Sequence, residues 1–280
     1  MRVEHGVLLK NYTTFKMGGV CKNLYIPENR KELLDLCDKI SPPRYILSGG
    51  SNVVVNDKKV FENVICLREF DKLIEHMGEG VFYVGSSVRL QKLILTINNL
   101  GYGGIEYLFS VPGLVGGAVT MNAGRGGSHK NVISDFIRYV YVYRDGETIK
   151  LRREECGFSH RYSCFLDSED IVLGVEFKFD KVSSEECEKQ RKQRIDLCKN
   201  TQDMSYPNFG TVFCEGNMKI IKLASMLNIP NSKIIYSRKT NNWMLNKGGS
   251  FNEVLRKLKL VRLLHRIFRK KCRQEVILWR

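Results

Sequence analysis

The stretch from Ser110 to Gly127, SVPGLVGGAVTMNAGRGG, constrains this chain more than any other. It sets Gly113, Gly116, Gly117, Gly124, Gly126 and Gly127 among small apolar residues, behind a Pro-Gly turn at Pro112. Glycine at that density serves backbone geometry and not packing. Without a Cβ the main chain can adopt positive φ and approach a ligand closely, so that successive N–H groups converge on an anion such as a pyrophosphate. A second stretch of this kind, Leu47-Ser48-Gly49-Gly50-Ser51-Asn52-Val53, follows the apolar run Tyr45 to Leu47 and leads into Val53 to Val55. Neither is a Walker loop or a G-x-G-x-x-G fingerprint, and either alone is compatible with a plain turn. Two such loops in one chain imply a bound nucleotide cofactor.

At 280 residues with 43% hydrophobic content, the chain is long enough for two or three modules with their own cores. No apolar run approaches the roughly 20 residues that span a bilayer, and the opening MRVEHGVLLKNY lacks the apolar core of a signal peptide. The expectation is a cytoplasmic protein without membrane insertion. Nine cysteines, with no C-x-x-C pair among them, make neither a disulfide framework nor a zinc site and read as reduced, mostly structural thiols.

Lys plus Arg 45 against Asp plus Glu 30 gives a formal charge of +15, a balance that suits a nucleic-acid binder. Its distribution argues otherwise. From Arg256 to Arg273 nine residues are basic and none is acidic, so this segment carries much of the excess. Val254, Leu255, Leu258, Val261, Leu264, Ile267 and Phe268 recur within it at helical spacing, which predicts an amphipathic helix with a cationic outer face. Three readings stay open: a core-packed helix with a solvated basic side, attraction to nucleic acid or an anionic membrane surface, and steering of a diphosphate substrate.

Three consecutive regions emerge along the chain. Residues 1–68 mix short strand-like runs such as Val60 to Leu67 with a helical pattern near Arg30 to Lys39, and carry the first glycine loop. Residues 69–182 pair a helix near Val88 to Leu100 with the long glycine loop. Strand-like runs follow at Phe136 to Tyr143 and Ile171 to Phe179, with a hairpin signal at Arg144-Asp-Gly-Glu147. Residues 183–280 open on a charged helical segment, Ser183 to Cys198. Internal repeats and low-complexity tracts are absent.

Taken together, the motifs resemble one family of bacterial flavoenzymes nearly end to end. Asn11-Tyr-Thr-Thr-Phe-Lys-Met-Gly-Gly19 is similar to an opening NTTFRxGG, and Ser48-Gly-Gly-Ser-Asn-Val53 to a GGGSNLL loop. Gly103 to Leu108, Val111 to Ala118 and Met121 to Gly124 follow GxxGLEFLxGIPGTVGGAxxMNAG in order and spacing. This is the pattern of the UDP-N-acetylenolpyruvoylglucosamine reductase (MurB) family, and the shortness of the chain looks like its smaller subtype. The resemblance implies an α+β fold, with residues 1–68 and 69–182 as a two-part FAD-binding unit of the PCMH or vanillyl-alcohol-oxidase type. Residues 183–280 would be an α+β substrate domain. It implies FAD as cofactor, NADPH as co-substrate, a nucleotide sugar with a diphosphate as substrate, a monomeric state and no nucleic-acid partner. The cofactor-binding positions it marks are Ser48, Gly49, Gly50, Ser51, Asn52, Val53, Pro112, Gly113, Gly116, Gly117, Ala118, Asn122, Ala123 and Gly124. No metal site is expected.

The family's catalytic motifs YRxSxF, GSxFKNP and EPEV align with His160-Arg-Tyr-Ser-Cys-Phe165, Gly210-Thr-Val-Phe213 and Gln274-Glu-Val276. Arg161 and Glu275 are kept, and the serine is Thr211. Reducing an enolpyruvyl ether builds negative charge that delocalises into the substrate carboxylate, which a guanidinium can pair. A carboxyl at Glu275 would help as the neutral acid, with a raised pKa, and a hydroxyl at Thr211 would protonate the α-carbon. Departures cluster in the last third. FKNP is Phe213-Cys-Glu-Gly216, and VSxKHANFIIN becomes Tyr236 to Asn246 with Ser237, Lys239 and Asn246 kept and the histidine lost. The alternative readings are therefore a flavoprotein of the same fold with altered or lost substrate reduction, and a binder of nucleic acid or anionic surfaces through the basic helix.

Overall fold

The computed structural model describes residues 1–125, 131–227 and 231–280; the glycines at 126 and 127 lie outside the described residues. The chain divides into two compact units, each built from separated segments. The first comprises Met1–Glu4, Asn23–Gly49 and Asn63–Lys199, and the second His5–Lys22, Gly50–Glu62 and Asn200–Arg280. The first glycine loop is thus shared out, Ser48 and Gly49 going with one unit and Gly50 to Val53 with the other. These units are made of separated segments, whereas the sequence reading divides the chain into three consecutive regions by expected role.

The first unit is a covered sheet. Its five antiparallel strands lie in the order Glu147–Arg152, Ile137–Arg144, Ile171–Lys178, Val81–Gly85, Ile74–Gly78. The hairpin signal is realised as a two-residue turn: Glu147 pairs with Arg144, and Asp145 and Gly146 take φ of 48° and 90°, matching the right-handed twist of the flanking strands. The strand Ile171–Lys178 does not alternate between buried and exposed positions: every residue from Ile171 to Phe177 is buried. Both faces of the sheet are covered, so both sets of side chains find a core. Ile171 and Leu173 join Leu33, Leu36 and Cys37 of helix α1 (Arg30–Lys39), and Val172, Val175 and Phe177 join the cluster on the other face.

That second face is closed by helices α2 (Leu90–Asn99) and α3 (Val115–Thr120). Leu90, Leu93, Ile94 and Ile97 bury one stripe of α2, and Val115, Ala118 and Val119 bury α3. Each fully buried Leu or Ile contributes about 1.5–3 kcal/mol relative to exposure. Helix α1 starts where Asn29 Oδ1 accepts from the Glu32 N–H at 3.0 Å while the Glu32 carboxylate reaches back to the Glu28 N–H at 2.8 Å. Helix α4 (Ser184–Thr201) leaves this layer; it is charged on nearly every side and buries only Cys187.

The second unit is smaller and mixed. A three-stranded sheet, Asn208–Thr211, Trp243–Asn246 and Ile234–Tyr236, stands beside two short pairs, Phe213–Glu215 with Arg273–Gln274 and Ile277–Trp279 with Val53–Val55. Helices α5 (Met218–Met226) and α6 (Phe251–Ile267) close its core through Ile221, Ala224, Val254, Leu258 and Val261. Ser250 and Glu253 cap α6 reciprocally, the Ser250 Oγ accepting from the Glu253 N–H and the Glu253 carboxylate accepting from the Ser250 N–H.

The basic segment is not one helix to Arg273. Helix α6 stops at Ile267, because Arg269 takes a left-handed φ of 49° and the Lys270 N–H turns back to the His265 carbonyl at 2.8 Å. Arg273 lies in the strand that follows. Of the apolar positions in the helical repeat, Val254, Leu258 and Val261 are core, while Ile267 and Phe268 are exposed.

Candidate functional site

In the first unit the two glycine stretches meet. A Cβ on Gly49 would lie 3.4 Å from the Gly113 Cα and 3.5 Å from the Leu114 nitrogen, and one on Gly117 would lie 3.1 Å from the Ser48 hydroxyl oxygen. Arg68 holds the first loop in place, donating from Nη2 to the Gly49 carbonyl at 3.1 Å. The second loop is anchored through its main chain. The Val115 N–H goes to the Val88 carbonyl and the Gly116 N–H to the Ser86 carbonyl, each at 2.9 Å. Those N–H groups are spent within the protein.

Two hydroxyls beside the loops have no protein partner. Ser48 Oγ and Ser86 Oγ are buried without a hydrogen-bond partner, and buried hydroxyls left so are costly. Pro112 is exposed at the start of the second loop, Gly113 and Gly117 are partly accessible, and Ala118 and Ala123 are buried. A surface lined by glycine, with two unsatisfied hydroxyls beside it, fits a group bearing phosphate oxygens.

The far end of that loop is tied to Arg161. Asn122, in a left-handed conformation with φ of 42°, donates from Nδ2 to the Ser159 carbonyl at 2.8 Å, and its Oδ1 accepts from the Ser134 N–H. Ser159 and Tyr162 exchange main-chain hydrogen bonds around a tight turn whose third residue, Arg161, has φ of 54°. From there Arg161 Nη2 donates to the Gly124 carbonyl at 2.6 Å. Tyr107 belongs to the same neighbourhood. Burial, followed by the carboxylates of Asp135 and Glu106, pushes its phenol well above the usual range, with Arg161 pulling the other way, and its hydroxyl has no hydrogen-bond partner.

In the second unit the strand that carries Glu275 runs beside the segment that follows Thr211. The Glu275 N–H donates to the carbonyl of Val212, the residue after Thr211, at 2.9 Å, and the next strand residues pair as Phe213 with Gln274. Thr211 itself lies opposite Trp243. Both Thr211 and Glu275 are half-buried. Asn52, marked as a cofactor position, uses its side-chain amide here: Nδ2 donates to the Glu275 carbonyl at 3.2 Å, and its own carbonyl accepts from the Ile277 N–H at 3.0 Å. Val53 then pairs with Ile277, and Ser51 is half-buried beside it. Gly50 has φ of 69°, and a Cβ there would fall 2.1 Å from the Tyr12 carbonyl, so glycine is obligatory.

Further residues position the site, and of these Asn242 and Ser86 escape sequence reasoning. Asn242 clamps the Thr211 segment, accepting from the Phe213 N–H at 3.1 Å and donating to the Phe213 carbonyl at 2.7 Å. Asn246 donates to the Phe15 carbonyl at 2.8 Å, which ties the opening motif to the sheet behind Thr211. Ser237 accepts from the Lys239 and Thr240 N–H groups and donates to Asp203 at 2.7 Å. Motif membership flags Asn246 and Ser237, and nothing in the sequence flags Ser86. Among the described residues no cluster of three or more His, Cys, Asp or Glu could hold a metal ion.

This arrangement, glycine loops closing on unsatisfied hydroxyls over a covered sheet, is that of a nucleotide-cofactor-binding protein. Residues 25–152 match the family model described as an FAD binding domain. A UDP-N-acetylenolpyruvoylglucosamine reductase of Clostridium novyi is 30% identical over 270 residues, 93% of this chain and 86% of that protein. One of Leptospira interrogans is 33% identical over 207 residues, 72% of this chain, and the match spans 64% of the relative's length. The crystal structure of UDP-N-acetylenolpyruvylglucosamine reductase (MurB) from Thermus caldophilus superposes with a TM-score of 0.81 at 28% identity, covering 100% of both chains. The chain belongs to the UDP-N-acetylenolpyruvoylglucosamine reductase (MurB) family.

Proposed function

We propose that this protein is a flavin-dependent oxidoreductase that uses NADPH to reduce UDP-N-acetylglucosamine enolpyruvate to UDP-N-acetylmuramate, a peptidoglycan precursor. The observation that supports the reading most is the meeting of the two glycine stretches, Gly49 against Gly113 and Gly117 against Ser48, beside buried hydroxyls without a protein partner. Ser48, Gly49, Gly113, Gly116 and Gly117 would hold the phosphates of FAD, which when bound supplies the hydride. Residues 1–68 and 69–182 serve the flavin and 183–280 the sugar nucleotide.

The chain's own groups then manage charge and protons. Adding hydride to the alkene carbon β to the carboxylate leaves electron density on the α-carbon and the carboxylate, and the Arg161 guanidinium offsets it. Glu275, as the neutral acid, donates a hydrogen bond to that carboxylate, and the Thr211 Oγ–H delivers the proton to the α-carbon. A positioned donor of this kind contributes on the order of 3 kcal/mol. The extra methyl of Thr211 narrows its χ1 choice and lowers turnover without removing the proton.

We place the enzyme in the cytoplasm as a monomer; among the described residues no helix is long and apolar enough to cross a membrane. The test is direct. Purified protein should be yellow, and with NADPH and the enolpyruvyl sugar nucleotide it should consume NADPH and yield the lactyl ether. Flavin-loaded protein that oxidises NADPH but forms no lactyl ether would overturn the substrate assignment.

A further inference from the structure

The proposed reaction leaves the cationic helix α6 unused. One side of α6 is core: Phe251, Val254, Leu258 and Val261 are at most 3% exposed. The opposite side carries Arg256, Lys259, Arg262 and Arg266, and the turn beyond adds Arg269, Lys270 and Lys271, all exposed. Among the described residues none of these seven forms an ion pair; Arg262 bonds the neutral amide of Gln274 at 2.7 Å. Such an uncompensated stripe repels itself and calls for an anionic partner.

Bulky apolar groups are set into the same stripe. Leu263 is 53% exposed, Ile267 62% and Phe268 51%, all within the run that carries the cations. Neighbouring α5 repeats the pattern, with Met218, Leu223 and Met226 exposed beside Lys219 and Lys222. The two helices are tied where the Asn217 N–H, at the start of α5, donates to His265 Nε2, in the last turn of α6, at 2.9 Å. The other nitrogen of that ring, Nδ1, lies 2.8 Å from the Val261 carbonyl, so both helices present their outer sides on a fixed base.

We propose that the outer face of α6 and its C-terminal turn is a docking surface for an anionic lipid bilayer, held peripherally and without insertion of a spanning segment. Phosphates of any source would satisfy the arginines and lysines. Exposed Leu, Ile and Phe interleaved with them select a surface in which apolar side chains can be buried at the boundary between headgroups and acyl chains, as interfacial amphipathic helices do. A nucleic acid offers phosphates but no such layer.

Cosedimentation of the full chain with vesicles decides it. The protein should pellet with phosphatidylcholine vesicles containing phosphatidylglycerol and stay in solution with phosphatidylcholine alone, and added salt should weaken but not abolish binding. The triple variant Arg256→Gln, Lys259→Gln, Arg266→Gln should lose binding by about tenfold or more. The double variant Ile267→Ser, Phe268→Ser, which keeps every charge, should lose the salt-resistant part. All substituted positions are exposed, and circular dichroism with flavin content checks that fold and cofactor are retained. Failure of the unaltered protein to distinguish the two vesicle types overturns the proposal, as does duplex DNA binding that displaces vesicles while Ile267→Ser, Phe268→Ser binds them as before.

Discussion

Arg161 Nη2 donates to the Gly124 carbonyl at 2.6 Å, so the guanidinium assigned to the substrate is braced by the last described glycine of the cofactor loop. One side of its planar fork is thus held by a carbonyl, and the proposed role gives the other to the substrate carboxylate. Arg161→Lys keeps the charge but has a single point of attachment, and should slow substrate reduction on the order of 100-fold while flavin content stays within error. Stopped-flow reoxidation of reduced flavin by the enolpyruvyl substrate measures it. Unchanged reoxidation would remove Arg161 from the reaction.

At Gly117 the expected damage is to cofactor retention. The missing Cβ would stand 3.1 Å from Ser48 Oγ and 3.3 Å from Ser48 Cβ, so Gly117→Val pushes a branched side chain into the cradle. The variant should purify colourless, with the absorbance ratio of flavin to protein as the readout, while far-ultraviolet circular dichroism remains that of a folded chain. A fully yellow variant would place the cofactor elsewhere.

Thr211 and Glu275 separate chemistry from packing. Thr211→Ser keeps the donor and removes the methyl, and should preserve or raise turnover. Thr211→Val keeps the shape and loses the proton, and should nearly stop reoxidation by substrate. Glu275→Gln should leave reduction of the flavin by NADPH intact and slow only the substrate half by roughly 100-fold. If Thr211→Val reoxidises as fast as the parent, the proton comes from another group.

Acid should expose the cap of α6. Burial alone would raise the Glu253 carboxyl, but hydrogen bonds from the Ser250 N–H, the Ser232 hydroxyl and the Lys233 and Ile234 N–H groups outweigh it and hold the pKa at about 2. A depressed folded pKa means that the ionised cap stabilises the native state fully above about 4.5 and progressively less as pH falls toward 2. Glu253→Gln should therefore cost on the order of 1–2 kcal/mol at neutral pH, with the gap to the parent closing in that acid window. Urea titrations at several pH values would show it; a gap that does not depend on pH would assign the loss to the altered hydrogen bonds alone.

Much of the fold was legible because its signals are local. The helices α1, α2, α4 and α6, the Asp145-Gly146 hairpin and the strands on either side of it follow from spacing and turn chemistry within a dozen residues. The family was legible from loops whose glycines answer to backbone geometry. Where local signals stop, the reading overreached: the cationic run predicted helix to Arg273, and a left-handed Arg269 ends it at Ile267.

The sequence by itself determined which segments form elements, which loops avoid side chains and which residue types stand at the catalytic motifs. These are properties of near neighbours, and a helix or strand repeat registers them directly. Only the tertiary structure decided that Gly49 meets Gly113, that Ser48 and Ser86 are left with unsatisfied hydroxyls, and that Asn52 spends its amide on the carbonyl of Glu275 across a separation of 223 residues. It also decided that the strand Ile171–Lys178 is buried on both faces, because a helix covers each side of its sheet. Partners so distant in the chain are chosen by the packing that satisfies both cores at once, and no periodicity within a segment records that choice.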